Sequence, residues 1–370
     1  MKRPVSNPQC RIAPCRAGRR RSMPAALSLI AGLWLAAGTA GGDTSESDGQ
    51  LALFSSDATL EITLHAPWRR LVRERGEPVA HHATLELAGE DRRRIGLTVE
   101  RRGKSRLEVC SFPPIRLRFP DPDAAAGTPF DGARSLKMVT HCNLGSRWEQ
   151  YYVREMLAFR FYNLITERSF RVRPLSVVYS DSERDDAEGP RFAFVIENDD
   201  TVAERNGLEE IKLARIAPSR LEPLESSRFA LFQYMIGNAD WSSLSGPTPD
   251  ECCHNTKLIG AGPDGPIYAL PYDFDSTGFV DAHYAVPQEV LPITRVTQRL
   301  FRGFCVHNET LESARREFLD RKRDFFGVLD NEPRLNGRSR RKAERYLDDF
   351  FDVLADSQKF ERRIIRTCRK

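Results

Sequence analysis

The sequence lacks a charge excess of either sign. Its 370 residues contain 56 Lys and Arg against 52 Asp and Glu, which leaves a net charge of +4. Seven of the basic residues and no acidic residue lie within residues 1–40, so removal of this segment changes the net charge to −3. Bulk charge therefore does not indicate a surface that neutralises phosphates of nucleic acid, and we expect no nucleic-acid partner.

Long hydrophobic runs are also missing, apart from one short stretch near the N-terminus. Residues 25–40 are mostly apolar and end in small residues, and they follow a basic segment. This pattern is typical of a secretory signal, so residues 1–40 are predicted to be a signal peptide and 41–57 a linker. The run is short for a membrane span, so membrane attachment would require an uncleaved signal anchor.

Cysteine spacing typical of a zinc site is absent, since the adjacent Cys252 and Cys253 are too crowded for ordinary zinc ligation. Six cysteines follow the signal, and an even count in an exported chain favours disulfides in a periplasmic or secreted protein. We expect Cys110 to pair with Cys142. Because a bond between adjacent cysteines would be strained, Cys305 is expected to pair with Cys252 or Cys253.

Internal repeats are absent, and the pattern of apolar residues changes along the chain. Short alternating segments predict strands at 58–64, 83–87, 94–100, 115–119, 136–139, 172–179 and 191–196. Longer apolar segments predict helices at 148–166, 228–236, 294–304, 308–330 and 339–359. This distribution predicts an α+β protein, with a β-rich N-terminal lobe over 58–200 and a mainly helical C-terminal lobe over 201–370.

Two charged residues lie in apolar surroundings within the predicted N-terminal lobe. Lys137 interrupts a short apolar strand, and Glu155 lies in the middle of a helix that is apolar nearly all round. A buried carboxylate needs a cation, and Lys137 is the nearest candidate along the chain. We therefore expect Lys137 to pair with Glu155; the alternative is that Glu155 pairs with a neighbouring arginine and faces water.

The same lobe contains two further candidate ligand-binding segments. Arg102 and Lys104 flank a glycine in a basic turn between strands, where charge and backbone N–H groups could hold phosphate. The alternative is a solvated hairpin tip. Glu197 ends a strand and begins an acidic crossover to the C-terminal lobe, as in the hinge that holds adenine in kinases.

Oxygen ligands cluster in the loop region 234–278. Asp240 follows an apolar helix, Asn255 precedes a short strand, and Asp273 follows the next strand, two residues before Asp275. Phosphoryl transfer requires a carboxylate near the attacking hydroxyl and Mg²⁺ on the phosphates, and Mg²⁺ prefers such oxygen ligands. The order therefore indicates a phosphoryl-transfer site, although these residues would also suit turn capping.

The pattern resembles the spore-coat CotH kinase family, an atypical protein-kinase-like fold, from about residue 99 to 285. The motifs that carry the resemblance are Arg102-Gly103-Lys104-Ser105, Leu136-Lys137, Arg154-Glu155, Asn238-x-Asp240, His254-Asn255 and Pro271-Tyr272-Asp273-Phe274-Asp275. Lys104 stands where the family has asparagine. The resemblance implies a two-lobed fold with a cleft between the lobes.

The resemblance also implies ATP with Mg²⁺ or Mn²⁺, and a protein hydroxyl as phosphate acceptor. It assigns proton acceptance to Asp240, the α- and β-phosphates to Lys137, and the metal to Asn255 and Asp273. Asp250, five residues before Asn255, is a rival to Asp240. The alternative functions are an inactive pseudokinase that acts as an envelope assembly module, or a metal-dependent phosphoesterase that also uses Asp275.

Overall fold

Seven strands form the first half of the fold in the computed structural model, which describes residues 51–370 apart from 90, 91, 104, 249–251 and 263. They are β1 (Leu60–Ala66), β2 (His81–Leu87), β3 (Arg94–Arg101), β4 (Ile115–Arg118), β5 (Ser135–Val139), β6 (Val172–Asp181) and β7 (Asp186–Ile196). Each strand predicted in this half overlaps one of them. The predicted signal peptide lies outside the described residues.

The seven strands close into a barrel. Neighbouring strands are antiparallel in the order β1-β2-β3-β4-β5-β7-β6, and β1 then pairs with β6 in parallel, with Leu60 opposite Leu175. A closed barrel is not the sheet of a kinase, so the predicted two-lobed kinase-like fold is wrong, although the α+β class is right. Alternation of apolar residues fixes which side chains face inward, but it does not fix which edge strands pair.

Successive side chains on each barrel strand point to opposite faces. On β5, Leu136 and Met138 are fully buried in the barrel interior. Val139 instead belongs to the core around the helices, and Lys137 lies on the same outer face. The outer face of β5 therefore carries both an apolar and a cationic group toward the helical part of the protein.

The described helices are α1 (Trp68–Arg73), α2 (Ser105–Val109), α3 (Ser146–Asn163), α4 (Asp199–Glu204), α5 (Pro223–Ile236), α6 (Asn308–Asp320), α7 (Lys322–Asp330), α8 (Gly337–Ala355) and α9 (Ser357–Arg363). The largest core cluster surrounds α3 and α5, as the apolar sequence of α3 predicts. None of the helices in the described part of the chain has both the length and the hydropathy needed to span a bilayer.

The helix predicted at 294–304 is wrong. This segment is irregular in the structure, and Arg299 within it donates hydrogen bonds to the backbone carbonyl of Met235 at 3.1 and 3.2 Å. Its backbone is thus fixed by contacts with α5 that local sequence cannot indicate. A second sheet, in the order β10-β9-β8, consists of β8 (Glu209–Glu210), β9 (Thr256–Gly260) and β10 (Ile267–Pro271).

Three disulfides join the six described cysteines in pairs. Cys110 bonds Cys142, with 4.5 Å between their Cα atoms, which confirms the predicted pair. Cys305 bonds Cys368, and the two remaining cysteines, at 252 and 253, bond each other, so the pairing predicted for Cys305 is wrong. The reason is a backbone contact: the Cys305 N–H donates to the carbonyl of Arg369 at 2.9 Å, which brings the C-terminus alongside. These disulfides are compatible with an exported protein.

Replacing both Cys110 and Cys142 with alanine is expected to lower the free energy of unfolding by about 4 kcal/mol. The bond closes a loop across a sequence separation of 32, which restricts the unfolded chain. The matched control replaces Cys252 and Cys253, whose bond closes no chain loop. Urea unfolding without reductant measures both variants. Equal losses would contradict a loop-closure origin.

Candidate functional site

The hairpin of β9 and β10 brings two predicted ligands together at its open end. Thr256 pairs with Pro271, so Asn255 and Asp273 lie just beyond the last paired residues. The Tyr272 N–H donates to the backbone carbonyl of Asn255 at 3.1 Å. Asn255 and Asp273 have left-handed backbones, with φ of 47° and 61°. Non-glycine residues adopt this conformation mainly in turns and at functional sites.

Asp240 reaches the same end of the hairpin from the turn that follows α5. That turn begins at Gly237, which is left-handed with φ of 64°, and a side chain there would collide with Tyr346. The Asp240 N–H then donates to the Asn238 side chain at 3.0 Å. Asn255 donates its amide to the Asp240 carbonyl at 2.7 Å and to the carboxylate at 3.1 Å. The structure therefore brings Asp240 and Asn255 into direct contact.

His254 holds the Asp240 carboxylate from the other side. The two side chains are 2.7 Å apart between Nε2 and Oδ1, and Gln288 also donates to this carboxylate. Burial is the largest single effect and opposes ionisation of Asp240, but the bond and charge of His254, together with Gln288 and Arg302, outweigh it and lower the pKa of Asp240. The same bond raises the pKa of His254. Asp240 is thus ionised near neutral pH and fixed in orientation.

Asp273 is a partly buried carboxylate whose negative charge is only weakly balanced by its surroundings. Burial raises its pKa from the ordinary value of 3.8 to about 6, the charge of Asp275 adds to this effect, and Arg106 and Arg102 oppose it. None of the described residues donates a hydrogen bond to its carboxylate. A cation bound to this carboxylate would offset the free-energy cost of keeping it ionised in a partly buried position.

A buried guanidinium lies between two further carboxylates. Arg106, from α2, donates to Glu155 at 2.6 Å and to Asp275 at 2.9 Å, and all three side chains are buried. Burial raises the pKa of Glu155 to about 7, Arg106 opposes this effect, and the charges of Asp275 and Asp273 add to it. Tyr284 donates a longer bond of 3.5 Å to Asp275. The predicted metal ligand Asp275 is therefore occupied by Arg106.

The predicted ion pair between Lys137 and Glu155 is wrong. Lys137 donates to Asp199 at 2.6 Å and lies 4.9 Å from the centre of the Tyr272 ring. Sequence reasoning correctly required a cation for Glu155 but missed Arg106. The five-residue helix that carries Arg106 has no periodic pattern that would mark its inward face.

Arg102 contacts the residue that follows the hairpin, since it donates to the Tyr272 hydroxyl at 2.7 Å. Its predicted partner Lys104 and the rival base Asp250 lie outside the described residues. The predicted hinge residue Glu197 is fully buried and bonds Arg205 at 2.8 Å and the Arg171 N–H at 3.0 Å. Its carboxylate is therefore used inside the protein, away from Arg102.

Asp273 and the residues around Arg106 line a cavity of about 50 Å³, whose lining does not include Asp240 or Asn255. Its lining consists of Arg102, Gly103, Ser105, Arg106, Pro114, Val139, Glu155, Phe159, Ile196, Tyr272, Asp273 and Asp275. Pockets for nucleotide-sized ligands have volumes of about 300–1,000 Å³. A more open pocket of about 330 Å³ lies around Lys137, Asp199 and Lys257. The Tyr272 ring lines the cavity and contacts Lys137, so it lies between the two spaces.

The residues fit a divalent cation only in part. No cluster of three or more His, Cys, Asp or Glu suited to a metal is found among the described residues. However, Mg²⁺ commonly uses one or two protein carboxylates and completes its shell with water and phosphate. Asp273 supplies a carboxylate without a described donor, and Asn255 offers its amide oxygen because its nitrogen faces Asp240. The donor set therefore suits a cation that arrives with a phosphate ligand.

Comparison of the chain with protein-family models and with curated proteins finds no match. The resemblance to CotH kinases therefore stays a prediction from motifs.

Arg106→Leu is expected to lower the free energy of unfolding by about 3–5 kcal/mol, because Glu155 and Asp275 lose their shared cation in a buried site. Adding Glu155→Leu should recover part of the loss. Lys137→Met combined with Glu155→Leu is the matched control. The effects of these two changes on the free energy of unfolding should add, since the two side chains belong to different ion pairs. Urea unfolding of the single and double variants checks this, and coupling of Glu155 to Lys137 instead of Arg106 would refute it.

Without a divalent cation, stability should fall as pH rises through the pKa of Asp273. Because this pKa is raised from 3.8 to about 6, the folded protein binds the proton more tightly than the unfolded chain. The resulting stabilisation is complete below about pH 4 and is lost as pH rises through about 6. Asp273→Asn should flatten this part of the profile, whereas Asp348→Asn, an exposed control on α8, should not. Thermal unfolding from pH 4 to 7 is the measurement, and an unchanged slope in Asp273→Asn would rule the effect out.

Proposed function

We propose that the chain is an exported, metal-dependent phosphotransferase that transfers phosphate from ATP to a protein hydroxyl. The observation that carries the proposal is the meeting of Asp240 and Asn255 with the end of β10 that leads into Asp273. Two arginines, Arg102 and Arg106, line the same cavity as Asp273. A carboxylate, a cation site and guanidinium groups in one place are the requirements of phosphoryl transfer.

Each side chain has a definite role in this proposal. Asp240 is ionised and oriented by His254, so it can accept the proton of the attacking hydroxyl. Arg102 is held by a single described bond to Tyr272 and can turn toward phosphate oxygens. Asp273 and Asn255 would hold Mg²⁺ or Mn²⁺. When bound, the cation would neutralise negative charge on the phosphates.

The nucleotide needs more space than the cavity of about 50 Å³ provides. The Tyr272 ring separates this cavity from the pocket of about 330 Å³ that Lys137 lines. Release of the bond between Arg102 and the Tyr272 hydroxyl would free the Arg102 side chain. Rotation of the Tyr272 ring, which also packs against Phe170, would then join the two spaces. Lys137, together with Lys257 beside it on Asp199, would then face the phosphates of the nucleotide.

Because the cavity is too small for a nucleotide, its volume also favours a second candidate function. In this case the protein is a non-catalytic module that binds a partner. In that case Arg106 would remain between Glu155 and Asp275 as a structural cation, and Lys137 would remain on Asp199. The two candidates differ in whether nucleotide binds. Export, to the periplasm or outside the cell, is part of both proposals, and the disulfides support it.

ATP labelled on its γ-phosphate, with Mg²⁺ or Mn²⁺ and candidate envelope proteins, tests the proposal directly. Transfer of label to protein is expected. Release of label only to water would indicate the phosphoesterase, and no nucleotide binding by thermal shift would favour the non-catalytic module.

Two variants separate the roles of the carboxylates. Asp240→Asn should lower the transfer rate by about 10²–10⁴-fold while nucleotide binding persists, because only proton acceptance is lost. Asp273→Asn should remove the cation dependence of nucleotide binding in a thermal-shift assay. The exposed Asp348→Asn is the control and should match wild type in both. Cation-dependent transfer that survives in Asp273→Asn would exclude its metal role.

A further inference from the structure

A second charged pocket lies between the first turns of α3 and α8 and has a volume of about 750 Å³. Gln150 fixes the two helix starts relative to each other, since it donates to the Arg334 carbonyl at 2.8 Å and accepts from the Asn336 N–H at 3.0 Å. Gln150 is itself buried. The pocket is therefore a built feature of the fold and not a gap between mobile elements.

The pocket contains more positive than negative charge. Arg147, Arg154, Arg338 and Lys342 line it, against the single carboxylate of Asp281. Lys342 forms an ion pair with Asp281, so the three arginines account for the excess positive charge. Within the described residues, none of these arginines forms an ion pair with a carboxylate. Asp281, the one carboxylate in this lining, acts on Arg154 through its charge but does not balance all of these cations.

Arg154 is the buried member of the three arginines. Its side chain is 4% exposed, and it donates to two backbone carbonyls, those of Gln150 and Phe279, each at 3.1 Å. Burial lowers its pKa to about 10. A buried guanidinium without a carboxylate is costly, and an anion from outside the chain would offset that cost.

Backbone N–H groups at the starts of the two helices also favour an anion in this pocket. α3 has 18 residues and α8 has 19, and both begin at the pocket. Gly145, which precedes α3, provides no side-chain cap, so the first N–H groups of this helix are left for another acceptor. Long helices carry partial positive charge at their N-termini and bind phosphate there.

We propose that this pocket binds a phosphate dianion, either free or as a monoester on a peptide. Arginine suits this ligand because its planar guanidinium can donate two parallel hydrogen bonds to phosphate oxygens. The site lies apart from the catalytic cavity: Arg154 lines the pocket, whereas the next residue, Glu155, lines the cavity. The proposal goes beyond the proposed phosphotransferase activity and does not rest on it.

Isothermal titration calorimetry of the full chain, at low ionic strength and with a chelator, tests the site without turnover. The probes are inorganic phosphate, a short phosphoserine peptide and its unphosphorylated counterpart. Wild type should bind phosphate, with an affinity that falls as salt rises. Equal affinity for phosphate and phosphopeptide would identify a free ion as the ligand. Tighter binding of the phosphopeptide, with none of its counterpart, would identify a peptide monoester.

The double variant Arg147→Gln with Arg338→Gln should weaken binding by about tenfold or more, because two charged donors are lost. Both side chains are exposed, so the fold should be retained. Arg345→Gln is the matched control, an exposed arginine of α8 outside the pocket, and should bind as wild type. Undiminished affinity in the double variant, or no binding of either phosphate probe to wild type, would overturn the proposal.

Discussion

The structure around the cavity depends on one shared cation. Arg106 bonds Glu155 and Asp275, and its charge also acts on Asp273. These residues come from three separate parts of the chain: the connection between β3 and β4, the middle of α3, and the segment after β10. Removing Arg106 would leave Glu155 and Asp275 without their cation in a buried place, which costs several kcal/mol. The ion network therefore fixes the barrel, the central helix and the hairpin end relative to one another.

The same network leaves the site short of positive charge. Burial raises the pKa values of Glu155 and Asp273, to about 7 and about 6 respectively, and Arg106, shared among three carboxylates, only partly offsets this effect. Well-packed apolar residues would give a more stable cavity than this arrangement. Retention of two acids under such conditions is typical of a binding site that receives a cation with its ligand. If a cation binds as proposed, relief of this charge imbalance would contribute to its affinity.

Local periodicity accounts for what the sequence could predict. Alternating apolar residues such as Leu97 and Val99 predict the strands. The apolar residues on both sides of Glu155 in the sequence predict that α3 is buried. The hairpin that ends at Asp273 could be predicted because its two strands are adjacent in the chain. Barrel closure could not, because it pairs Leu60 with Leu175, more than a hundred residues apart. The Arg106 network and the bond from Cys305 to Cys368 were missed for the same reason.

The helix α3 connects the two charged sites because of its geometry. An α-helix turns about 100° per residue, so Arg154 and Glu155, which are neighbours in sequence, face different directions. Arg154 lines the pocket at the helix start, and Glu155 lines the cavity. An anion bound by Arg154 would hold α3 in the position at which Glu155 meets Arg106. A ligand that draws Arg106 toward phosphate would pull on the same helix from its other face. The two proposed binding events would then be coupled, and by linkage each would change the affinity of the other by the same factor.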